Sequence, residues 1–378
     1  MSVPISLYIH IPFCRRKCNY CSFISFQDRI EDIPAYVGGV KKELAFHAQG
    51  QRLRSIYLGG GTPSLLSAEQ VGDIFSAVRA LFEVEETAEI TIEANPGTVN
   101  AKYLSTLREM GINRLSLGVQ SLRDSELKLL GRIHTVAEAR DALRSGRDSG
   151  FTNINLDLIY GLPGQTVQEW RNTLGKVTDL GPEHLSLYAL SVESGTPLEK
   201  AIAGHHLPEV DPDVCAEQYE TAEEFLATCG YRHYEISNWA RPGRECRHNM
   251  TYWQNLPYLG VGVAAHSYLD GHRLANTESM DNYLDAYLND TQLVPEMDEE
   301  IGPELKVAER IILGLRLCQG ICVDNIKNDT GIDLFNVYKP QLEEMVGNGL
   351  LDRNDRLVRL TRRGRLLSNE VFWRFLPG

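Results

Sequence analysis

The sequence predicts an α/β fold: a partial (βα)6, TIM-like barrel followed by a small C-terminal winged-helix-like α+β domain. Three observations carry this expectation. Six apolar, β-branched runs alternate with amphipathic helical stretches through the first half of the chain; the pattern changes near Asp211; and the last part reads as helix, helix, strand pair and helix. The expected strands are Leu7–Ile11, Ser55–Leu58, Glu89–Glu93, Arg114–Gly118, Asn153–Leu158 and His184–Leu190. Between them, helical spacing covers Ile33–Ala48, Ala68–Phe82, Asn100–Met110, Val136–Asp148 and Val167–Asp179. Strands covered on both faces read as apolar runs, and crossover helices join parallel neighbours, so six such units favour a barrel over a Rossmann sheet.

Residues 1–210 are thus assigned to the barrel and 211–295 to an extension with a helix over Val214–Thr228, a strand-like Arg232–Ser237 and the glycine-rich Gly260–Ala265. Residues 296–378 form the small domain, entered through an acidic linker, Glu296–Glu304, marked by Pro295 and Pro303. At 378 residues the chain is too long for one ordinary small core. A hydrophobic content of 43% with 24% charged residues is that of a soluble globular protein. No apolar run has the length of a membrane span, which leaves at most peripheral membrane contact. The net charge of −13 disfavours a polyanion as the main partner, so no nucleic acid is expected. Seven arginines between Arg353 and Arg374 make the tail locally basic; it reads as a solvated face, with an anion-binding patch as the alternative.

Eight cysteines are too few for a disulfide-stapled secreted protein, and the start MSVPISLYIHIPF reads as a first strand rather than a signal peptide. A cytoplasmic location and a metal or redox site follow. Cys14, Cys18 and Cys21 stand directly after that first strand, where the loops of a βα barrel build its active site. Thiolates are soft ligands suited to an iron–sulfur cluster, and unequal gaps let one loop wrap several corners of a cubane. Three cysteines leave one iron free to chelate the amino and carboxylate groups of S-adenosylmethionine. The alternative is zinc, but a closed zinc site wants four ligands, and only His10 is at hand to supply the fourth.

The motifs YIHIPFCRRKCNYC, GGGTPS at Gly59–Ser64 and DLIYGLPGQT at Asp157–Thr166 resemble those of the radical S-adenosylmethionine superfamily. Within it, the resemblance is to the group that contains oxygen-independent coproporphyrinogen III oxidase and the HemW heme chaperones. It spans nearly the whole chain and implies a 4Fe–4S cluster on Cys14, Cys18 and Cys21. It also implies S-adenosylmethionine contacts at Tyr8, Tyr20, Glu93, Gln120, Arg132 and Asp157, and at Gly60, Gly61 and Thr62 in the glycine turn. From chemistry alone, Gly59–Gly61 serve equally well as a tight turn, whereas Glu93 reads as a solvated acid and Arg132 as a surface residue.

Three features separate the near relatives. Ser22 and Phe23 follow the third cysteine, where the oxidases carry Gly and a further Cys; Cys14 stands near the start, without the oxidases' N-terminal extension; and His248–Trp253 matches an HNxxYW signature of HemW-like proteins. The resemblance therefore implies heme as a further cofactor, with His248 as candidate iron ligand. Arg241, Arg244 or Arg247 are candidates for the propionates. The structural alternative for His248 is a packed histidine in a strand-rich segment. His205 and His206 read as exposed, His266 as a core residue, and Cys215, Cys229, Cys246, Cys318 and Cys322 as plain thiols.

Two functions remain open at this point. One is a heme chaperone that takes heme from a donor and delivers it to acceptor hemoproteins of the respiratory chain, with the cluster regulating transfer or supporting a homodimer. The other is a radical enzyme acting on a tetrapyrrole, such as coproporphyrinogen III oxidase; no catalytic residue is assigned for it. An RNA-modifying enzyme is disfavoured by the acidity.

Overall fold

The computed structural model describes residues 3–289, 291 and 294–377. Six parallel strands, hydrogen-bonded in chain order, form its centre: β1 (Ile5–Ile11), β2 (Arg52–Gly60), β3 (Glu83–Ala94), β4 (Arg114–Gln120), β5 (Ile154–Tyr160) and β6 (His184–Ala189). Helices at Ile33–His47, Ala68–Leu81, Ala101–Glu109, Val136–Asp148 and Val167–Asp179 return the chain between them. Three of these begin on reciprocal capping boxes: Ser67 with Gln70, Thr135 with Glu138, and Thr166 with Glu169. Each box satisfies two amides that the first helical turn leaves without partners.

The strands are two-faced rather than uniformly apolar. Ile5, Leu7, Ile9 and Ile11 of β1 join the core against the helices, as do Ile90 and Ile92, Leu115 and Leu117, Leu156 and Leu158, and Leu185 and Leu187. The alternate positions are polar and linked to one another: Ser55 donates to Ser6 (2.7 Å), and Asn155 donates to Ser116 and Asp157 (2.8 Å each) and accepts from Ser186 (3.1 Å). Period-two alternation thus sends the aliphatic set outward and a polar set towards the barrel axis.

The barrel is open. β6 pairs with the antiparallel β8 (Asn238–Ala240), itself paired with β7 (Arg232–Glu235), and the free edge of β1 takes the parallel β9 (Tyr258–Val261). The sheet continues through β10 (His266–Leu269), β11 (His272–Ala275) and β12 (Met297–Glu300). The stretch read as an acidic linker therefore carries β12, whose charges suit an edge strand because they oppose pairing with another chain. His266, expected in the core, is exposed at the start of β10. The HNxxYW segment is not strand-rich; it is the helix Arg247–Trp253.

The C-terminal domain has its own core, from Val307 to Phe375. Its order is helix Pro303–Leu315, β13 (Ile321–Cys322), helices Val323–Thr330, Leu334–Val337 and Lys339–Gly347, then β14 (Leu351–Arg353) and β15 (Leu357–Leu360), the arrangement of a winged helix. The arginine-rich tail is largely consumed by ion pairs: Arg362 with Glu220, Glu223 and Glu224, Arg365 with Glu223, Arg359 with Asp352, and Arg374 with Glu344. A Cβ added at Gly364 would stand 1.9 Å from the Leu350 carbonyl oxygen. Gly364→Ala should therefore cost about 1–3 kcal/mol or more by overpacking. Hydrogen exchange should show faster opening of β14 and β15, while β1–β6 keep their protection.

Candidate functional site

The three cysteines lie on the loop after β1 and border a cavity of about 460 Å³ at the C-terminal ends of the strands. Backbone bonds fix the loop on both sides: Cys14 N–H donates to Phe26 O (2.9 Å), Phe26 N–H to Pro12 O (2.7 Å) and Asn19 N–H to Leu130 O (3.0 Å). All three thiols are free of disulfides. Cys14 Sγ lies 3.6 Å from Thr62 Oγ1, and Arg132 Nη1 donates to Cys18 Sγ at 3.3 Å. Among the described residues no three His, Cys, Asp or Glu side chains are grouped as ligands of a single metal ion. His10, the fourth ligand that a zinc site would recruit, is engaged elsewhere, with Tyr8 at Nδ1 (3.0 Å) and the Ile24 carbonyl at Nε2 (3.3 Å). Three soft thiolates spread along one loop beside a guanidinium fit a multi-iron cluster better than zinc.

Most of the expected S-adenosylmethionine residues meet at this cavity. Tyr20, Gly60, Gly61, Thr62, Glu93, Gln120, Arg132 and Asp157 all border it; Tyr8 does not, and packs behind it against the rings of Tyr57 and His248. Gly60 has φ +113°, and its N–H donates to Glu93 (3.1 Å); a Cβ there would meet the His10 ring at 2.5 Å, and one on Gly61 would meet Phe13 O at 2.7 Å. The glycines let β2 end flush against the cysteine loop. Gln120, at φ +65°, sits where the pairing of β4 with β5 slips, which turns it into the cavity. Arg132 is not the surface residue that its sequence context alone suggests. It reaches Cys18, Gly118 O (2.8 Å) and Asn95, and although burial opposes its charge, the Cys18 and Tyr20 side chains hold its pKa above the ordinary value.

Glu93 accepts from Tyr57 (2.7 Å) as well as from Gly60, and burial, then the charge of Asp157, push its pKa up to about 7. Burial also raises Asp157 despite its bonds to Asn155 and Ser116. These two acids at the floor of a cavity are suited to receive a cation. Sequence reasoning missed their partners Tyr57, Asn155 and Ser186, and also Asn95, which pairs with Arg132 and Thr62 instead. All but Asn95 could have been found from the period-two register that places Asn155 beside Asp157.

His248 does not have the open position expected of an iron ligand. It is 1% exposed, Nδ1 bonds Ser55 Oγ (2.9 Å), Nε2 bonds Tyr252 Oη (2.9 Å), and burial lowers its pKa to about 3. Thr251 reaches Ser6 (2.7 Å) from the same helix, and Glu89 accepts the N–H groups of Arg247 (3.1 Å) and His248 (3.0 Å). The helix Arg247–Trp253 therefore closes the N-terminal end of the barrel, opposite the cysteines. Of the candidate propionate partners, Arg241 lies over the Tyr231 ring and Arg247 donates to Thr87 O, both away from the cavity.

The fold and the cysteine-lined cavity are those of a radical S-adenosylmethionine protein: a family model described as the radical SAM superfamily matches residues 8–177, and one described as the HemN C-terminal domain matches residues 303–367. Proteins named heme chaperone HemW are similar over almost the whole chain. That of Lactococcus lactis is 35% identical, with 99% of this chain and 97% of the relative covered; that of Escherichia coli is 36% identical, with 99% and 98% covered. The solved coproporphyrinogen III oxidase HemN of Escherichia coli superposes with a TM-score of 0.87 at 25% identity, over 98% of this chain and 90% of that one. Within the superfamily, this chain belongs to the HemW family.

Two outcomes follow from this geometry. His248→Ala strands Ser55 and Tyr252 inside the barrel floor and should cost roughly 3 kcal/mol in urea unfolding, while the iron and sulfide content of the folded fraction is retained. Glu93 has a folded pKa of about 7 against an ordinary value of 4.5, so without ligand its contribution to stability is full below about 4.5 and is lost as pH rises through 7. Glu93→Gln should flatten that part of a urea-midpoint profile; an unchanged slope would mean that Glu93 does not titrate there.

Proposed function

We propose that this chain is a heme chaperone built on a radical S-adenosylmethionine scaffold. The observation that carries this reading is its similarity, at 35–36% identity over nearly full length, to proteins named heme chaperone HemW. Ser22 and Phe23 after the third cysteine support it, since they depart from the oxidase pattern.

In this reading Cys14, Cys18 and Cys21 hold a 4Fe–4S cluster, which when bound supplies the iron that S-adenosylmethionine chelates. The chain's own residues then do the positioning. Glu93 and Asp157 offer negative charge to the cation, Gln120 and Thr62 offer hydrogen bonds, and Arg132 balances the thiolates while bracing Asn95. The partners are heme donors and acceptor hemoproteins, including those of the respiratory chain, and the working location is the cytoplasm. No helix among the described residues is long and apolar enough to cross a membrane, so contact with a membrane-bound acceptor would be peripheral. A homodimer is part of the same proposal.

The second reading, a radical enzyme acting on coproporphyrinogen, draws on the structural likeness to HemN. The two separate in one experiment on anaerobically reconstituted protein. We expect hemin to bind and pass to an apo-hemoprotein, with its Soret band moving to that of the acceptor, and coproporphyrinogen III to remain unchanged with reductant and S-adenosylmethionine present. Formation of protoporphyrinogen would overturn the chaperone reading. Cys18→Ser should lose most of the iron and sulfide, measured by metal analysis.

A further inference from the structure

Beside the cavity a second, narrow crevice runs along the cysteine loop, between Cys18 and the segment Gly131–Ile133. Arg15, Thr98 and Ile133 border this crevice and not the cavity, while Arg16 borders both. Three arginines line it, with Arg132 as the third, and no carboxylate does. The loop tip itself is Arg15, Arg16 and Lys17, three consecutive exposed cations, none of them ion-paired with a described residue. Asp124 and Glu138, the acids facing His134 next in the chain to Ile133, are engaged by the Val136 and Thr135 amides. Two large apolar side chains flank the cations: Ile133, 52% exposed, and Phe23, 69% exposed, which follows Cys21 on the same loop. A basic strip edged by exposed apolar groups, in a chain whose net charge is −13, has the make-up of a docking surface.

We infer that this strip docks a small acidic one-electron donor, a reduced flavoprotein, which reduces the cluster held by Cys14, Cys18 and Cys21. The inference rests on the cluster assignment of the proposed function and is independent of the heme cargo. Location decides the kind of partner. The three thiols are half-buried in this loop, so a cluster on them lies close beneath Arg16 and Lys17, and electron transfer falls off steeply with distance. The approach through the cavity is the one given to S-adenosylmethionine. Charge decides the rest: unpaired cations steer an acidic face, and a small basic and apolar patch suits the weak, short-lived contact of redox partners. An extended polyanion would meet the acidic remainder of the chain, whereas a small protein meets only the strip. In the step itself the donor's flavin is oxidised by one electron and the oxidised cluster gains it. No bond forms or breaks in this chain.

The test uses the full chain, reconstituted anaerobically with its cluster, and a flavodoxin as the acidic probe. Binding is measured first with both proteins oxidised, so that a change in cluster potential plays no part. Wild type should bind more weakly as salt rises, and Arg16→Glu should bind about tenfold or more weakly than wild type. Arg356→Glu, an equal change of charge on the C-terminal domain, should match wild type. With photoreduced flavodoxin, stopped-flow reduction of the cluster should slow in Arg16→Glu in step with the loss of binding. Excess dithionite should bring both proteins to the same electron paramagnetic resonance signal. Should Arg16→Glu take up less iron than wild type, Ile133→Asp, which lies off the loop, decides by the same binding measurement. Wild-type and Arg16→Glu affinities that coincide would overturn the docking surface, as would a wild type that does not bind the probe. It would equally be overturned, in favour of a lipid contact, if Arg16→Glu lost binding to phosphatidylglycerol vesicles and kept that to flavodoxin. A wild-type cluster that dithionite cannot reduce would overturn the cluster reading instead.

Discussion

The structure depends on a barrel wall that is aliphatic outside and polar inside. The outer set packs under the helices and supplies the hydrophobic stabilisation of burial. The inner set must be hydrogen-bonded, because each buried polar group left alone costs about 1–3 kcal/mol. The protein resolves this at its two ends in opposite ways. At the N-terminal ends of β1–β3, Ser6, Ser55 and Glu89 are matched by Thr251, His248 and the first amides of the helix Arg247–Trp253. At the C-terminal ends, Glu93, Asp157 and Arg132 face the cavity instead.

That division explains the His–Asn–x–x–Tyr–Trp spacing better than iron ligation does. Positions one helical turn apart share a face. His248 thus meets the barrel floor together with Tyr252, which closes its second nitrogen and packs edge-on against Tyr258 at 4.8 Å. Asn249 reaches the bottom of the cavity. Trp253 turns the other way, beneath the Arg316 guanidinium at 4.2 Å, while Arg310 donates to Gln254 O (2.6 Å). Tyr234 O accepts from Cys318 N–H (3.0 Å), and the buried Glu235 faces Arg316. The barrel floor and the C-terminal domain are consequently one packed assembly. A substitution in the motif reaches both before it reaches any ligand.

Much of this was legible in the chain. Helix boundaries were readable because Ser67, Thr135 and Thr166 stand three residues before a Gln or Glu, a local signal that needs no tertiary context. The cysteine loop and glycine turn were readable because they are contiguous. The inward polar set was obscured by treating each strand as an apolar run, when Ser6, His10, Thr91 and Asn155 alternate with aliphatics in plain view. β12 was hidden because its acidic residues suit solvent and edge strand equally. The surroundings of His248 were hidden for a different reason. A histidine among aromatics looks the same in sequence whether its nitrogens are free or bonded; Tyr252 takes one of them, and Ser55, almost two hundred positions away, takes the other.

Part of the unfinished polar pairing among the described residues lies where a ligand would sit. The floor leaves neither nitrogen of His248 unpaired. Around the cavity, by contrast, Arg114 Nε and Arg132 Nε are buried without a hydrogen-bond partner, Arg114 being fully enclosed among Glu89, Tyr57 and Tyr234. Both residues border the cavity. The floor end is not free of such atoms, since Trp253 Nε1, Glu235 Oε2 and Arg316 Nε are also buried without a hydrogen-bond partner, so an unpaired group does not by itself mark a ligand site. Arg132 stands apart because it also borders the cavity and donates to Cys18, which holds it beside the cysteine loop where the proposed cluster would sit.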